Sequence, residues 1–170
     1  MFKLSIPALV VAYALVACSS VPLPTSTPAA AAAPSTEAVR MSAGTPTLAG
    51  GYKKLAAPAG AAVYFVSLKS GDVVNGPVLV QFGLRGLGVA PAGVEKENTG
   101  HHHLLIDVAE IDVNNALPMT DNIRHFGGGQ TEVRVELKPG THTLQLLLAD
   151  HNHIPHFPAV MSERITVTVK

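Results

Sequence analysis

Residues 61–170 are predicted to form an all-β fold, an immunoglobulin-like antiparallel β-sandwich of about seven strands. Three observations predict it. Apolar and polar residues alternate with period two, as where Val133, Val135 and Leu137 interleave with Glu132, Arg134 and Glu136. No comparable window repeats every 3.6 residues, as an amphipathic helix would. Turn chemistry separates the runs at Ser70-Gly71-Asp72, Asn75-Gly76-Pro77, Gly127-Gly128-Gly129 and Lys138-Pro139-Gly140.

The elements follow in order. Ala62 to Val66 open an apolar run of strand length over 62–68. Val78, Val80, Phe82 and Leu84 alternate through 78–85, and a third strand spans 102–110. A weak strand lies near 119–125, and 131–137 carries the clean alternation already noted. Leu144, Leu146 and Leu148 mark 142–149, and Ile165, Val167 and Val169 mark 163–169. Gly140-Thr141-His142-Thr143-Leu144 occupies the corner where immunoglobulin-like domains place a Tyr bonded back to backbone. His142 takes that place and reads as a structural hydrogen-bonder.

The N-terminal part has a different character. Lys3 precedes a mostly apolar run from Ile6 to Val16, the layout of a secretory signal, here 1–17. Leu15-Val16-Ala17-Cys18 resembles the lipobox of bacterial lipoproteins, and Cys18 is the only Cys, so it is the expected lipidation site. By the same resemblance, Ser19 after the Cys favours the periplasmic face of the outer membrane. Pro22, Pro24, Pro28, Pro34, Pro46 and Pro58 and the run Ala29–Ala33 make 18–60 a linker by composition. Membrane association is expected through the lipid anchor. A spanning helix is excluded, because no apolar run reaches about 18 residues.

Charge removes one class of partner. The 170-residue chain is formally neutral, and residues 61–170 hold 8 basic and 11 acidic side chains, a net of −3. A nucleic-acid binder needs the opposite sign on a concentrated patch, so no nucleic acid is expected.

All eight histidines lie between positions 101 and 156. In the predicted sandwich, the connections after the second, fourth and sixth strands share one pole. That pole would gather His101, His102, His103, His125, His151, His153 and His156, leaving His142 at the other end. His101, His103, His125, His151, His153 and His156 are the candidate metal ligands, and imidazole clusters suit copper or zinc. His101 and His103 project to one side of a strand, and His151 and His153 repeat the spacing. Glu95, Glu97, Asp107 and Asp150 are candidate ligands or acceptors for ring N–H groups. Met119 and Met161 offer a softer donor for Cu(I). The competing reading makes the histidines structural, and His102 shares phase with Leu104 and Ile106.

Catalysis finds little support. There is no Gly-x-Ser-x-Gly elbow, Cys18 is assigned to lipid, and Gly86-Leu87-Gly88 lacks the βαβ setting of a dinucleotide fingerprint. A His beside Glu97 or Asp150 could act as a base, yet no substrate is indicated. The chain is expected not to be an enzyme.

Five segments in order carry a family resemblance. They are 83–93, from Gly83-Leu84-Arg85-Gly86 to Pro91-Ala92-Gly93, and Glu97-Asn98-Thr99-Gly100-His101-His102-His103 running on to Asp107. His125-Phe126-Gly127-Gly128-Gly129-Gln130-Thr131, Gly140 to Leu146 and Asp150-His151-Asn152-His153-Ile154-Pro155-His156 complete the set. Over roughly 62–170 the chain resembles the DUF4399 family of bacterial secreted domains. The resemblance implies a secreted domain and carries no activity with it. Two functions therefore stand side by side. One is a lipid-anchored periplasmic domain that binds copper or zinc. The other is a non-enzymatic module with structural histidines that recognises an envelope protein partner.

Overall fold

The computed structural model describes residues 46–48 and 50–170. Cys18, the predicted signal and most of the predicted linker lie outside the described residues. Ten strands follow in order: β1 (Ala62–Phe65), β2 (Val73–Val74), β3 (Val78–Arg85), β4 (Gly88–Val89), β5 (Thr99–Ile106), β6 (Ile123–His125), β7 (Glu132–Val135), β8 (Gly140–Ala149), β9 (Pro155–Met161) and β10 (Ile165–Val169). The smaller sheet has the order β1-β3-β7 and is antiparallel. The larger runs β2-β10-β8-β5-β4, with β6 also on β5 and β9 also on β8. No helix occurs among the described residues, as the period-two pattern predicts.

The two sheets close over one core. Val63, Val78, Val80, Phe82 and Val135 face it from the smaller sheet, and Leu104, Ile106, Leu144, Leu146, Leu148 and Val167 from the larger. Each fully buried aliphatic chain of this kind contributes about 1.5–3 kcal/mol. The larger sheet has a second buried face. There Leu105, Leu117, Leu147 and Ala149 pack with Val108, Ile111, Val113 and Met161, several of them from the 107–122 connection. Consequently every residue of β5 is buried. A strand covered on both sides loses its alternation, so His101 to Ile106 reads as a run rather than a pattern.

Three strands escape the sequence pattern. β2 and β4 are two-residue pairings, both parallel to their neighbours. β9 carries Pro155 and Pro158, which argue against a central strand. It pairs with β8 immediately after a hairpin, with Ala149 opposite Pro155 and Leu147 opposite Met161. The predicted loop 150–162 is thus a turn over 150–154 followed by strand. β9 and β10 run in succession along the same edge of β8.

N-terminal of β1, residues counted with the linker by composition pack on the domain. Ala57 N donates to Phe157 O at 2.9 Å and Phe157 N to Leu55 O at 2.9 Å, so this segment lies parallel along β9. Lys54 is 2% exposed, and its Nζ donates to Val113 O.

His142 closes the far corner. Its Nδ1 lies 2.7 Å from Asp107 Oδ2 and its Nε2 2.8 Å from Lys138 O. Both partners are acceptors, so the doubly protonated ring satisfies both. The Asp107 bond, then the Lys138 carbonyl, hold the His142 pKa above its ordinary value. Burial works to raise the Asp107 carboxyl, but the bonds from His142 and Thr143 outweigh it and leave it below the usual range. His142→Ala is expected to cost about 1 kcal/mol, since Asp107 is partly solvated. The raised His contribution is complete below the unfolded value of 6.5 and fades as pH rises through the higher folded value. The lowered Asp contribution is complete above 3.8 and fades as pH falls through the lower folded value. The gap between wild type and His142→Ala in denaturant melts is therefore expected to be widest between pH 3.8 and 6.5. A gap independent of pH would contradict the ion pair.

Candidate metal centre

Strand periodicity places His101 and His103 on the outer face of the larger sheet, while His102 turns inward to lie 5.0 Å from the Phe82 ring. β6 runs antiparallel beside β5 with His125 opposite His103, which puts a third ring on the same face. β8 lies on the other side of β5, with Ala149 opposite His101. The turn that follows β8 therefore begins beside His101, and it delivers a fourth ring, His153.

That turn is held by one carboxylate. Asp150 is fully buried, its Oδ1 accepting from Asn152 N at 2.8 Å and Ile154 N at 3.0 Å. Its Oδ2 accepts from Tyr52 OH at 2.8 Å. Asp150 N also bonds Ile154 O, and Leu117 N bonds the His153 carbonyl at 2.9 Å. Burial, then the Asp150 bond, push the Tyr52 hydroxyl up to about 12. His153 adopts a left-handed backbone, φ 65°, uncommon for a residue with a side chain.

The four rings form one group. His101 lies 4.8 Å from His103, 4.8 Å from His125 and 5.0 Å from His153, centroid to centroid. His125 and His153 are 4.6 Å apart, with their Nε2 atoms at 3.1 Å. Ligand atoms of His101, His103 and His125 all lie within 4.8 Å of one another. Nitrogens bound tetrahedrally to zinc at 2.0–2.1 Å stand about 3.4 Å apart, so small ring rotations would close the set. A Cβ on Gly127 would fall on the His125 ring, which explains a glycine two residues beyond β6.

Burial keeps His101, His103 and His125 neutral. Burial first, then the neighbouring His125 and His153, bring His101 down to about 4. Burial and the other three rings bring His103 to about 2. His125 is lowered by burial and by His153. Neutral imidazole is the form that binds metal. Both ring nitrogens of His101 and His103 are buried without a hydrogen-bond partner. The same holds for His102, so the orphaned nitrogens alone do not mark a site. Convergence does.

The geometry revises the predicted loop pole. His101, His103 and His125 belong to strands on a sheet face, and His153 alone of the four comes from a turn. The predicted set contains two residues placed elsewhere. His151 packs edge-on against Tyr52 at 6.3 Å and bonds Asn152. His156 lies within β9, fully buried, its Nε2 3.2 Å from Thr99 O. Among the carboxylates, Asp107 serves His142, Asp150 holds its turn, and Glu95 and Glu97 are exposed. Met161 packs in the outer apolar cluster and Met119 is 71% exposed. Tyr52 and Lys54 escaped the sequence reading because a Pro-rich, Ala-rich composition surrounds them. Their signal was an aromatic and an apolar residue in Gly51-Tyr52-Lys53-Lys54-Leu55.

A sequence family described as a domain of unknown function, DUF4399, matches residues 80–170, more than half of the chain. The chain belongs to the DUF4399 family. No curated protein and no solved structure matches it. The DUF4399 match spans all four converging rings, whereas Tyr52 and Lys54 precede it. A groove of about 440 Å³ between β1 and the β9–β10 junction, lined by Val63, Phe65, Leu68, Met161 and Ile165 among others, contains no histidine.

Proposed function

We propose that this DUF4399 domain binds a divalent late first-row metal ion, copper or zinc, through His101, His103 and His125. The observation that carries the reading is the convergence of three ligand nitrogens within 4.8 Å, joined by His153. An all-nitrogen donor set without thiolate or thioether suits Cu(II) and Zn(II) rather than Cu(I). The burial of His101 and His103, 0% and 1% exposed, favours a bare ion over a protein or glycan, because those rings offer a macromolecule no surface. The role is binding, storage or delivery of the ion, not catalysis.

Titration of the metal-stripped protein, carrying no affinity tag, tests this. One equivalent of Cu(II) or Zn(II) is expected to bind with micromolar or tighter affinity, and His125→Ala to abolish it. Absence of stoichiometric uptake of either ion would remove the metal reading.

The lipobox resemblance supports a second part of the proposal, a lipid anchor at Cys18 on the periplasmic face of the outer membrane. Cys18→Ala is expected to move the protein from the membrane fraction to the soluble fraction without changing its melt. Retention in the membrane fraction would exclude the anchor.

A further inference from the structure

We propose that the segment from Tyr52 to Ala57 is a strap that keeps the metal pocket closed, with Tyr52 acting through Asp150 to position His153 as a fourth, exchangeable ligand. This rests on the metal reading above and adds to it a route by which the ion enters and leaves.

The four rings are not held alike. His101 and His103 sit in the interior of β5, and His125 ends β6 in register with His103. β8 pairs with both of the first two and β6 with His103, so neither can leave without breaking the sheet. His153 rides on a turn of five residues, 150–154, and its ring is half-buried. Its left-handed backbone is a sparsely populated state that persists only where the surroundings enforce it. Of the four, it is the ring that can swing away at least structural cost.

The enforcing contacts lead to the strap. Within the Asp150 carboxylate, Oδ1 is used by the turn's own N–H groups, from Asn152 and Ile154. Oδ2 is tied to Tyr52, 98 positions away in sequence. The turn is thus formed by one oxygen and fastened to the rest of the molecule by the other. Two residues further on, buried Lys54 donates to Val113 O in the 107–122 connection. That connection in turn holds His153 by its own carbonyl, through Leu117 N. The strap therefore reaches His153 from two directions, and its backbone is pinned along β9 by Leu55 and Ala57. Among the described residues, one further backbone tie reaches the turn from outside, Gly93 N to His151 O. Tyr52 and Lys54 touch no ligand nitrogen of the converging rings, so they are positioning residues.

The experiment uses the full chain loaded with one equivalent of Cu(II), in wild type, Tyr52→Phe, Lys54→Met and His153→Ala. It follows copper release to excess EDTA, the nitrogen hyperfine pattern in the Cu(II) electron paramagnetic resonance spectrum, and the metal-free melt. Tyr52→Phe and Lys54→Met are each expected to release copper about 10–100-fold faster than wild type, the usual effect of losing an outer partner of a ligand. Their spectra are expected to move towards that of His153→Ala, with one nitrogen fewer. A merely structural role would lower the melt and leave the spectrum of the folded protein unchanged, which would overturn the strap. Release at the wild-type rate from His153→Ala would overturn the fourth ligand while leaving the site at His101, His103 and His125 intact. Wild-type protein that takes up no copper would instead defeat the metal reading itself.

Discussion

Saturating the metal-free protein with Cu(II) or Zn(II) is expected to raise its melting temperature by about 10 °C. A ligand at one hundred times its Kd stabilises the folded state by about 2.7 kcal/mol, and a domain of this size gains roughly 4 °C per kcal/mol. The shift should depend on side chains in a pattern that the sheet face dictates. His125 is half-buried at the end of β6, so His125→Ala is expected to leave the metal-free melt nearly unchanged and erase the metal shift. His103 is 1% exposed between β6 and β8, so His103→Ala should lower the metal-free melt as well. Truncating a buried ring leaves a cavity, and the closest measured cases cost about 2–5 kcal/mol. His102→Leu supplies the control. Its ring faces Phe82 in the core, so the full metal shift should survive. Loss of the shift in His102→Leu but not in His125→Ala would place the ion on the wrong side of β5.

How far the sequence foretold this arrangement depends on what covers each strand. β7, β10 and the first half of β8 were legible because one face meets the core and the other meets solvent or polar neighbours, which preserves the alternation. β5 was hard to place because both its faces are buried, and its true start at Thr99 lies ahead of the expected 102. That small difference matters. It turns His101 from the end of a loop into a sheet residue and moves the site from the pole to the outer face. β9 was hidden by Pro155 and Pro158, so the tight turn behind it looked like a long loop. Within such a loop, His151 and His153 appear as an equivalent pair. The left-handed conformation at His153 breaks that equivalence and sends only one of the two rings to the cluster. Convergence of residues about 50 apart followed from strand pairing. Membership in the cluster required the register, with His103 opposite His125, which composition does not encode.

The same burial that keeps the rings neutral makes the metal-free protein acid-sensitive. His101 and His102 titrate at about 4 and His103 at about 2 in the folded state, against 6.5 for an unburied ring. Above pH 6.5 the rings are neutral whether folded or not, and they leave stability independent of pH. Below it, the unfolded chain takes up protons that the folded state refuses, so stability falls as pH falls. Each such ring removes about 1 kcal/mol per pH unit, and the loss continues until the folded-state value is reached. Three rings acting together over about two pH units amount to several kcal/mol, a large part of the 5–15 kcal/mol that holds an ordinary domain. Acid unfolding of the stripped protein is therefore expected near pH 4–5, a steep transition when followed by circular dichroism. His102→Leu should make it shallower, because one of the three rings no longer takes part and Leu fits an apolar neighbourhood beside Phe82. Bound metal should shift the transition to lower pH, since protons must then displace the ion from His101 and His103 before the chain can open. A stripped protein that keeps its full stability at pH 4 would show that His101, His102 and His103 take up protons as readily folded as unfolded, and would overturn the acid sensitivity derived from their burial.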